Sequence, residues 1–176
     1  MKSLIFQLII ITIIPKMTLF NFNTDSDLNN WRIVDDVVMG GRSGGNFKLN
    51  SDGHGQFYGD VSLKNNGGFS SVRYNFETII ASEYKSFQLR IKGDGKSYQF
   101  RVKSSSRQRY SYLYTFTTSG NWETITIPFT KMYPSFRGYE LNQPNYDGVQ
   151  MEEIAFLISN KKEESFRLLI DAITLQ

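Results

Sequence analysis

The chain has 176 residues, of which 40% are apolar and 15% aromatic, so it is long and apolar enough to fold as one domain around a packed core. The absence of cysteine excludes disulfides, thiolate nucleophiles and thiolate metal sites, and any Ser-His-Asp chemistry would depend on the single histidine, His54. The formal charge of +3 has no long basic run behind it, so we predict no nucleic-acid partner.

Residues 1–16 form an apolar N-terminal segment. The run Leu4–Ile14 is shorter than the roughly 20 residues of an ordinary membrane span, but it suits the core of a signal peptide. No Ala-x-Ala cleavage site follows it. Three interpretations stay open: an export signal or anchor, a mis-assigned start upstream of Met17, or a terminal strand. The first places the protein outside the cytoplasm or at a membrane, and otherwise we expect it in the cytoplasm.

From Thr18 onward the apolar residues recur with a period close to two, which indicates strands with one buried face. Phe87–Lys92 and Tyr98–Lys103 both alternate strictly, and Gly93–Lys96 between them has the composition of a turn. We therefore predict a hairpin over Phe87–Lys103, with one of the two turn glycines at positive φ.

Other short strands follow the same pattern: Phe57–Leu63, Phe69–Phe76, Ser111–Thr118, Glu123–Phe129, Ile154–Ser159 and Phe166–Leu175. Pro128 lacks an amide donor and should lie at a strand end or on an edge strand. Asn65–Gly68 has the residues of a hairpin connection, and a single helical turn is predicted around Gln150–Ile154. The pattern predicts an all-β, mainly antiparallel sandwich or barrel, with one domain over residues 17–176.

Four stretches carry a resemblance to a known family. They are Trp31–Ser43 (WRIVDDVVMGGRS), Gly59–Arg73 (GDVSLKNNGGFSSVR), Lys92–Tyr98 (KGDGKSY), and Trp122–Phe129 with Phe136–Gly138. In these stretches the chain resembles the complex I intermediate-associated protein 30 family. The resemblance implies a galactose-binding-like jelly-roll β-sandwich. For eukaryotic members it implies a non-enzymatic assembly factor or chaperone for NADH:ubiquinone oxidoreductase, although residues 1–16 lack the Arg-rich, Ser-rich character of a mitochondrial presequence.

The first two stretches supply a candidate binding patch. Its members are Trp31, Asp36, Met39, Arg42, Asn66, Phe69 and Arg73. Gly40-Gly41 would let the backbone approach a partner closely, with Asp36 and Arg42 as polar anchors. In the alternative, structural interpretation, the glycines form a turn and Asp36 pairs with Arg42 or Arg73. Arg73 lies on an otherwise apolar strand face and needs a carboxylate partner, for which Asp35 and Asp36 are the candidates.

The two stretches are expected to meet at one end of the sandwich, because loops held by rigid sheets often build binding surfaces. This convergence is predicted for Asp36, Met39, Arg42, Asn66 and Arg73. Tyr110, Tyr112 and Tyr114 share one side of a strand, either as a stacking platform for sugars or as aromatic cover of a sheet face. The basic cluster Lys103–Arg109 is interpreted as a solvated hairpin end.

No metal or cofactor site is predicted. His54 lies between glycines in a polar turn, without ligands at a metal-binding spacing. Four aspartates, Asp25, Asp27, Asp35 and Asp36, have the oxygen chemistry of calcium ligands, but no loop has the spacing of a known calcium site.

Three classes of function remain to be compared. The first is a protein-binding assembly or chaperone-like domain, and the second is a carbohydrate-binding module on a jelly-roll scaffold. The third is an enzyme that uses Asp35 or Asp36 with Arg73. Adjacent residues of a strand point to opposite faces, so the two aspartates alone cannot form a facing catalytic pair. We therefore predict a non-enzymatic binding domain with a protein partner, carbohydrate as the alternative, and membrane contact only through residues 1–16.

Overall fold

Alternating apolar side chains organise residues 16–176, which the computed structural model describes, into thirteen strands. The strands are β1 (Met17–Asn21), β2 (Trp31–Asp35), β3 (Gly44–Leu49), β4 (Gly55–Val61), β5 (Ser70–Ile80), β6 (Ser86–Lys92), β7 (Ser97–Lys103), β8 (Ser111–Thr117), β9 (Trp122–Pro128), β10 (Tyr133–Phe136), β11 (Tyr139–Glu140), β12 (Gln150–Ile158) and β13 (Glu164–Leu175). Three short 3₁₀ turns lie at Asp36–Met39, Lys64–Asn66 and Phe129–Lys131. The interpretations of the apolar N-terminal segment fall on residues outside this described range, apart from its last residue. Within the range, no helix has both the length and the apolar composition that a membrane crossing needs.

The strands form two sheets in which neighbouring strands run antiparallel. One sheet has the order β3–β4–β13–β6–β9, with β1 also paired to β13. The other has seven strands in the order β11–β10–β8–β7–β12–β5–β2. This arrangement confirms the prediction of an all-β, antiparallel sandwich. Pro128 is the last residue of the edge strand β9, as its missing amide requires.

The core lies between the two sheets and is filled by the apolar face of each strand. Phe87, Leu89 and Ile91 of β6 are fully buried, as is Phe100 of β7. The rings of Phe87 and Phe100 meet across the core with their centroids 4.8 Å apart. Since Tyr98, Phe100 and Val102 take the inner face of β7, the alternation sends its polar residues to the outer face.

The predicted hairpin over Phe87–Lys103 is wrong. β6 pairs with β13 and β9, whereas β7 pairs with β8 and β12 in the other sheet. Gly93–Lys96 is therefore a corner that carries the chain from one sheet to the other. Alternation and turn residues specify two consecutive strands with buried faces, but they do not specify whether those faces lie side by side or opposite each other.

The expectation of a glycine at positive φ in this corner is confirmed, since Gly95 has φ +81°. We predict that Gly95→Val lowers the free energy of unfolding by about 1–2 kcal/mol, because a β-branched residue resists that conformation. Urea denaturation would measure the difference. Gly44→Val is the matched control, because Gly44 has an ordinary strand conformation and open space at its Cβ position. Equal stability of the two variants would contradict this account of the corner.

Two other local predictions are corrected. Asn65–Gly68 connects β4 to β5 and so crosses between sheets instead of closing a hairpin, although Asn65 and Asn66 do adopt left-handed conformations, with φ 56° and 60°. Gln150–Ile154 is the start of β12 and not a helical turn. β12 is central in its sheet and buried on both faces, so its apolar residues are nearly continuous and lose the period of two.

Candidate functional site

A cavity of about 380 Å³ opens on the outer face of the seven-stranded sheet. Its central strand is β7, which contributes Gln99, Arg101 and Lys103, the residues opposite the buried Tyr98, Phe100 and Val102. Leu157 from β12 and Arg73 from β5 also line the cavity. The remaining walls come from the Asp36–Met39 turn on one side and from residues 135–138 on the other.

Arg101 is a cation without a carboxylate partner in the described part of the chain. Its Nε and Nη2 atoms donate to Oε1 of Gln99 at 3.0 and 2.7 Å, so a neutral amide orients the guanidinium. Ala155 of β12 pairs with Arg73 on one side and with Arg101 on the other, which places the two arginines in one row. Burial, together with the positive charge of Arg73, lowers the pKa of Arg101 to about 10. At neutral pH the side chain still carries its charge.

Two more arginines meet at the ring of Phe136 on the cavity wall. The guanidinium carbons of Arg109 and Arg137 lie 5.5 and 5.3 Å from the ring centroid. Arg137 and Gly138 are the two central residues of the β10–β11 hairpin, with φ 52° and 84°. An arginine is an unusual residue for the first of these positions, where Asn, Asp or Gly are preferred.

Glu153 of β12 is the acidic centre of the same sheet face. Its side chain is 5% exposed, and its carboxylate lies 3.3 Å from Arg32, 3.8 Å from Arg73 and 3.4 Å from Lys103. Asn75 donates to it at 3.1 Å. Glu153 is therefore the ion-pair partner of Arg73 and Lys103, which are two of the cavity's five cationic residues. The other three, Arg101, Arg109 and Arg137, form no ion pair within residues 16–176.

The pairing expected for Arg73 is wrong: its carboxylate partner is Glu153, not Asp35 or Asp36. Asp35 instead accepts hydrogen bonds from Oγ of Ser70 and from the amide of Gly45. Sequence reasoning missed Glu153 because it is far from Arg73 along the chain. Only the β5–β12 pairing brings the two together.

Asp36 is fully buried beneath the cavity wall and holds two loops together. Its carboxylate accepts hydrogen bonds from the Ser43 amide at 2.9 Å, the Gly68 amide at 2.6 Å and the Phe69 amide at 3.2 Å, and from Oγ of Ser43. Burial alone would raise the pKa of Asp36, but these hydrogen bonds outweigh it and hold the pKa below its ordinary value. Asp36 thus has a structural role in this fold. Its partners are backbone amides and the Ser43 hydroxyl, and not Arg42 or Arg73.

The glycines around Asp36 make room for this carboxylate. A Cβ atom at Gly41 would come within 2.2 Å of Oδ1 of Asp36, and one at Gly67 within 2.6 Å of Oδ2. Gly40 has φ +90° and ends the 3₁₀ turn, and its carbonyl accepts a hydrogen bond from Nδ2 of Asn65 at 3.1 Å. The Asp35–Ser43 and Asn65–Phe69 stretches, which are parts of the two motifs expected to meet, thus lie together around Asp36.

The same turn exposes three consecutive apolar side chains. Val37 is 59% exposed, Val38 74% and Met39 59%. We call these three residues the apolar ledge. Val38 and Met39 also line the cavity, so the ledge and the cations belong to one surface.

The members of the candidate patch separate into four groups. Met39, Phe69 and Arg73 line the cavity, and Asp36 is buried behind it. Arg42 and Asn66 are exposed but lie outside the lining.

Trp31 belongs to a different environment. It is 7% exposed on the inner face of β2 and stacks on Tyr74 with the ring centroids 4.7 Å apart. Phe20, Phe22 and Phe47 complete this aromatic cluster. The geometry therefore gives Trp31 a packing role away from the cavity.

The tyrosines of β8 also face inward. Tyr112 and Tyr114 pack against the core, which fits their interpretation as aromatic cover of a sheet face. The basic cluster Lys103–Arg109 lies at the connection of the β7–β8 hairpin, but Lys103 and Arg109 line the cavity as Arg101 does. The alternation of β7 contained a signal for this part of the site, because it places the polar residues Gln99, Arg101 and Lys103 on one face of the strand.

No other cluster in residues 16–176 suggests catalysis or metal binding. Nδ1 of His54 lies 3.3 Å from Asp171, and the His54 ring packs 4.6 Å from that of Trp122. The described part of the chain holds no group of three or more His, Asp or Glu side chains arranged for a metal ion.

Comparison with known proteins assigns the family. The family model described as complex I intermediate-associated protein 30 matches residues 20–170. The chain belongs to this family. It is 27% identical over 184 residues to the mitochondrial complex I intermediate-associated protein 30 of Mus musculus, with 88% of this chain covered. The match spans 54% of that relative's length.

Similar solved structures include carbohydrate-binding modules. The family 11 module from Clostridium thermocellum, in complex with a β-1,3-1,4-mixed-linked tetrasaccharide, has a TM-score of 0.65 at 18% identity, covering 93% of this chain and 96% of that one. A family 29 module has a TM-score of 0.53 at 12% identity, covering 92% and 87%. At these identities the likeness shows the fold alone, and it confirms the predicted galactose-binding-like jelly roll.

Proposed function

We propose that this chain is a non-catalytic binding domain that acts as a protein-binding assembly or chaperone-like factor, as its family's name suggests. The observation that carries the proposal is the apolar ledge at the mouth of the cavity. The three consecutive apolar side chains are 59–74% exposed. Their contact with water is unfavourable, and a partner that covers them would remove this cost. A 3₁₀ turn anchored by a buried carboxylate holds them in place, so they are presented on a rigid support.

The ledge and the cavity together suit a protein segment. Protein interfaces commonly combine an apolar centre with polar and arginine-rich surroundings. Here Val38 and Met39 supply the apolar part, and the arginines of the cavity lie on the same sheet face. The cavity is lined by arginines, aromatic rings and serine hydroxyls, which bind ligands through charge, stacking and hydrogen bonds.

A ledge variant tests this proposal. In the cells that express the chain, Val38→Asp with Met39→Asp should reduce partner crosslinking by roughly tenfold or more, because the change removes the exposed apolar surface that the partner would cover and puts two carboxylates beside the arginines of the cavity. Crosslinking followed by mass spectrometry would identify the partner and map the contact. A subunit or assembly intermediate of NADH:ubiquinone oxidoreductase is the expected partner.

Ile80→Asp is the matched control for the ledge variant. Ile80 is 63% exposed and lies at the end of β5 farthest from the ledge, so the same change there should leave crosslinking intact. Equal loss in both variants, or crosslinks confined to the outer face of the six-stranded sheet, would contradict the proposal.

Carbohydrate binding is the second candidate, favoured by the rings of Phe69 and Phe136 and the hydroxyls of Ser111 and Ser135 in the cavity. Sugars stack on exposed aromatic faces, but two of the three tyrosines that would form a broader platform, Tyr112 and Tyr114, are turned into the core. Calorimetric titration with a β-1,3-1,4-mixed-linked tetrasaccharide separates the candidates. We expect no saturable heat. Saturable binding that Phe136→Ala removes and the ledge variant leaves unchanged would favour the carbohydrate function.

A further inference from the structure

The cavity carries an excess of positive charge that the described chain does not neutralise. Arg73, Arg101, Lys103, Arg109 and Arg137 all line it, and no Asp or Glu side chain from residues 16–176 does so. Glu153 lies beside Arg73 and Lys103, which leaves the guanidinium groups of Arg101, Arg109 and Arg137 unneutralised. The chain as a whole has a net charge of only +3, so this concentration is local.

This arrangement costs free energy in the absence of a ligand. Arg101 is partly withdrawn from water next to the like charge of Arg73, and both effects disfavour its cation. Arg109 and Arg137 share one aromatic ring, which holds two like charges on the same wall. Arg137 additionally adopts a left-handed backbone conformation with φ 52°. Strained conformations of this kind cluster at binding sites, where they hold a side chain in position.

The geometry points to an anion site: we propose that the cavity receives the carboxylates of an acidic protein segment, while the apolar ledge receives an adjacent apolar side chain of the same segment. Guanidinium groups bind carboxylates through paired, charge-assisted hydrogen bonds, and the Arg101 group is already oriented by Gln99. A carboxylate in the cavity would neutralise charges that the fold leaves unpaired. The ledge favours a peptide over a free anion or an acidic polysaccharide, because neither of these has apolar side chains to cover Val38 and Met39.

This inference rests on the proposed function and specifies the chemistry of the partner. The probe is a fluorescent peptide with glutamates on both sides of a single leucine, and its comparison peptide has glutamine in place of each glutamate. Fluorescence polarisation with the full chain should show saturable binding of the first peptide and roughly tenfold weaker binding of the second. Raising the salt concentration should weaken only the first.

The decisive variant is Arg109→Gln with Arg137→Gln, which should weaken binding of the glutamate peptide by about tenfold or more. The matched control is Arg90→Gln with Arg167→Gln, which removes the same charge from the outer face of the six-stranded sheet. Arg90 matches Arg109 in its surroundings, because its guanidinium group lies 5.5 Å from the Trp122 ring, as that of Arg109 does from Phe136. We expect the control pair to bind the peptide within about twofold of the unmodified chain.

Three outcomes would overturn the anion site or its assignment to a protein segment, and the last of them leaves the proposed function standing. Equal weakening by both pairs of variants would mean general charge attraction and would overturn the anion site. Binding of an acidic polysaccharide such as polygalacturonate, without binding of the peptide, would overturn the assignment to a protein segment. If Arg109→Gln with Arg137→Gln keeps partner crosslinking in cells while the ledge variant loses it, the proposed function stands and the anion site does not.

Discussion

Asp36→Ala should lower the free energy of unfolding by about 3–5 kcal/mol, which is the expected cost of leaving several buried donors without an acceptor. The variant removes the acceptor for the amides of Ser43, Gly68 and Phe69 at once. None of these amides can turn to water without separating the two loops. Urea denaturation followed by intrinsic fluorescence would measure the loss. The ledge should also lose its orientation, because the turn that carries it starts at Asp36.

Two further variants make this result specific. Asp36→Asn keeps the shape of the side chain but turns an amide donor toward backbone donors, so it should cost nearly as much as the alanine change. Asp60→Ala removes an exposed aspartate of β4 and should change stability by less than about 0.5 kcal/mol. If Asp36→Asn proves as stable as the unmodified chain, the carboxylate is not the acceptor that the structure shows.

The pH dependence of stability gives an independent check on Asp36. Its pKa is lower in the folded state than in the unfolded chain, where it has its ordinary value. The stabilisation is therefore fully present above the ordinary carboxyl pKa, and it is lost as the pH falls through that value toward the lower folded-state pKa. The stability difference between the unmodified chain and Asp36→Asn should accordingly shrink on acidification and stay constant near neutral pH.

Alternation predicted eight of the thirteen strands, most of which have one buried face, whereas β1, β2, β3, β10 and β11 were not predicted. β6 and β7 were located to within a residue in this way. Their placement in different sheets was not predictable from alternation, because a hairpin turn and a corner between sheets can use the same glycines. The start of β12 was predicted as a helical turn, because a strand buried on both faces has no period of two.

The site was predictable only where its residues are close along the chain or share an unusual motif. The meeting of the Asp35–Ser43 and Asn65–Phe69 stretches follows from two glycine-rich motifs, and the structure brings them together around Asp36. Arg101 and Glu153 lie in no comparable motif, and only the order of the strands brings them to the site. Ala155 of β12 lies between Arg73 and Arg101 only because β12 is inserted between β5 and β7. A local basic cluster near a turn therefore resembled an ordinary solvated loop.

Glu153→Gln should have two opposite effects, a loss of stability and a gain in anion affinity. The free energy of unfolding should fall by about 2–4 kcal/mol, because the change leaves Arg32, Arg73 and Lys103 facing one another without their shared carboxylate. The expected loss lies at the lower end for a buried carboxylate, since the Arg32 side chain is 59% exposed and water screens its charge. Arg73→Ala should cost less, because Glu153 would keep Arg32 and Lys103 as partners.

The gain in affinity follows from the same charges. With Glu153 neutral, Arg73 and Lys103 are free to face the cavity that they already line, so the glutamate peptide should bind about fivefold more tightly at low salt. Glu77→Gln is the matched control, since it removes the same charge from an exposed position on β5 and should change neither stability nor binding appreciably. Denaturation and polarisation measured on both variants would test the two effects together. If the Glu153→Gln variant is destabilised but binds the peptide no better, Glu153 stabilises the fold and does not limit the affinity for the peptide. A variant that binds more tightly would mean that this carboxylate both stabilises the sheet face and limits the affinity of the cavity for acidic ligands.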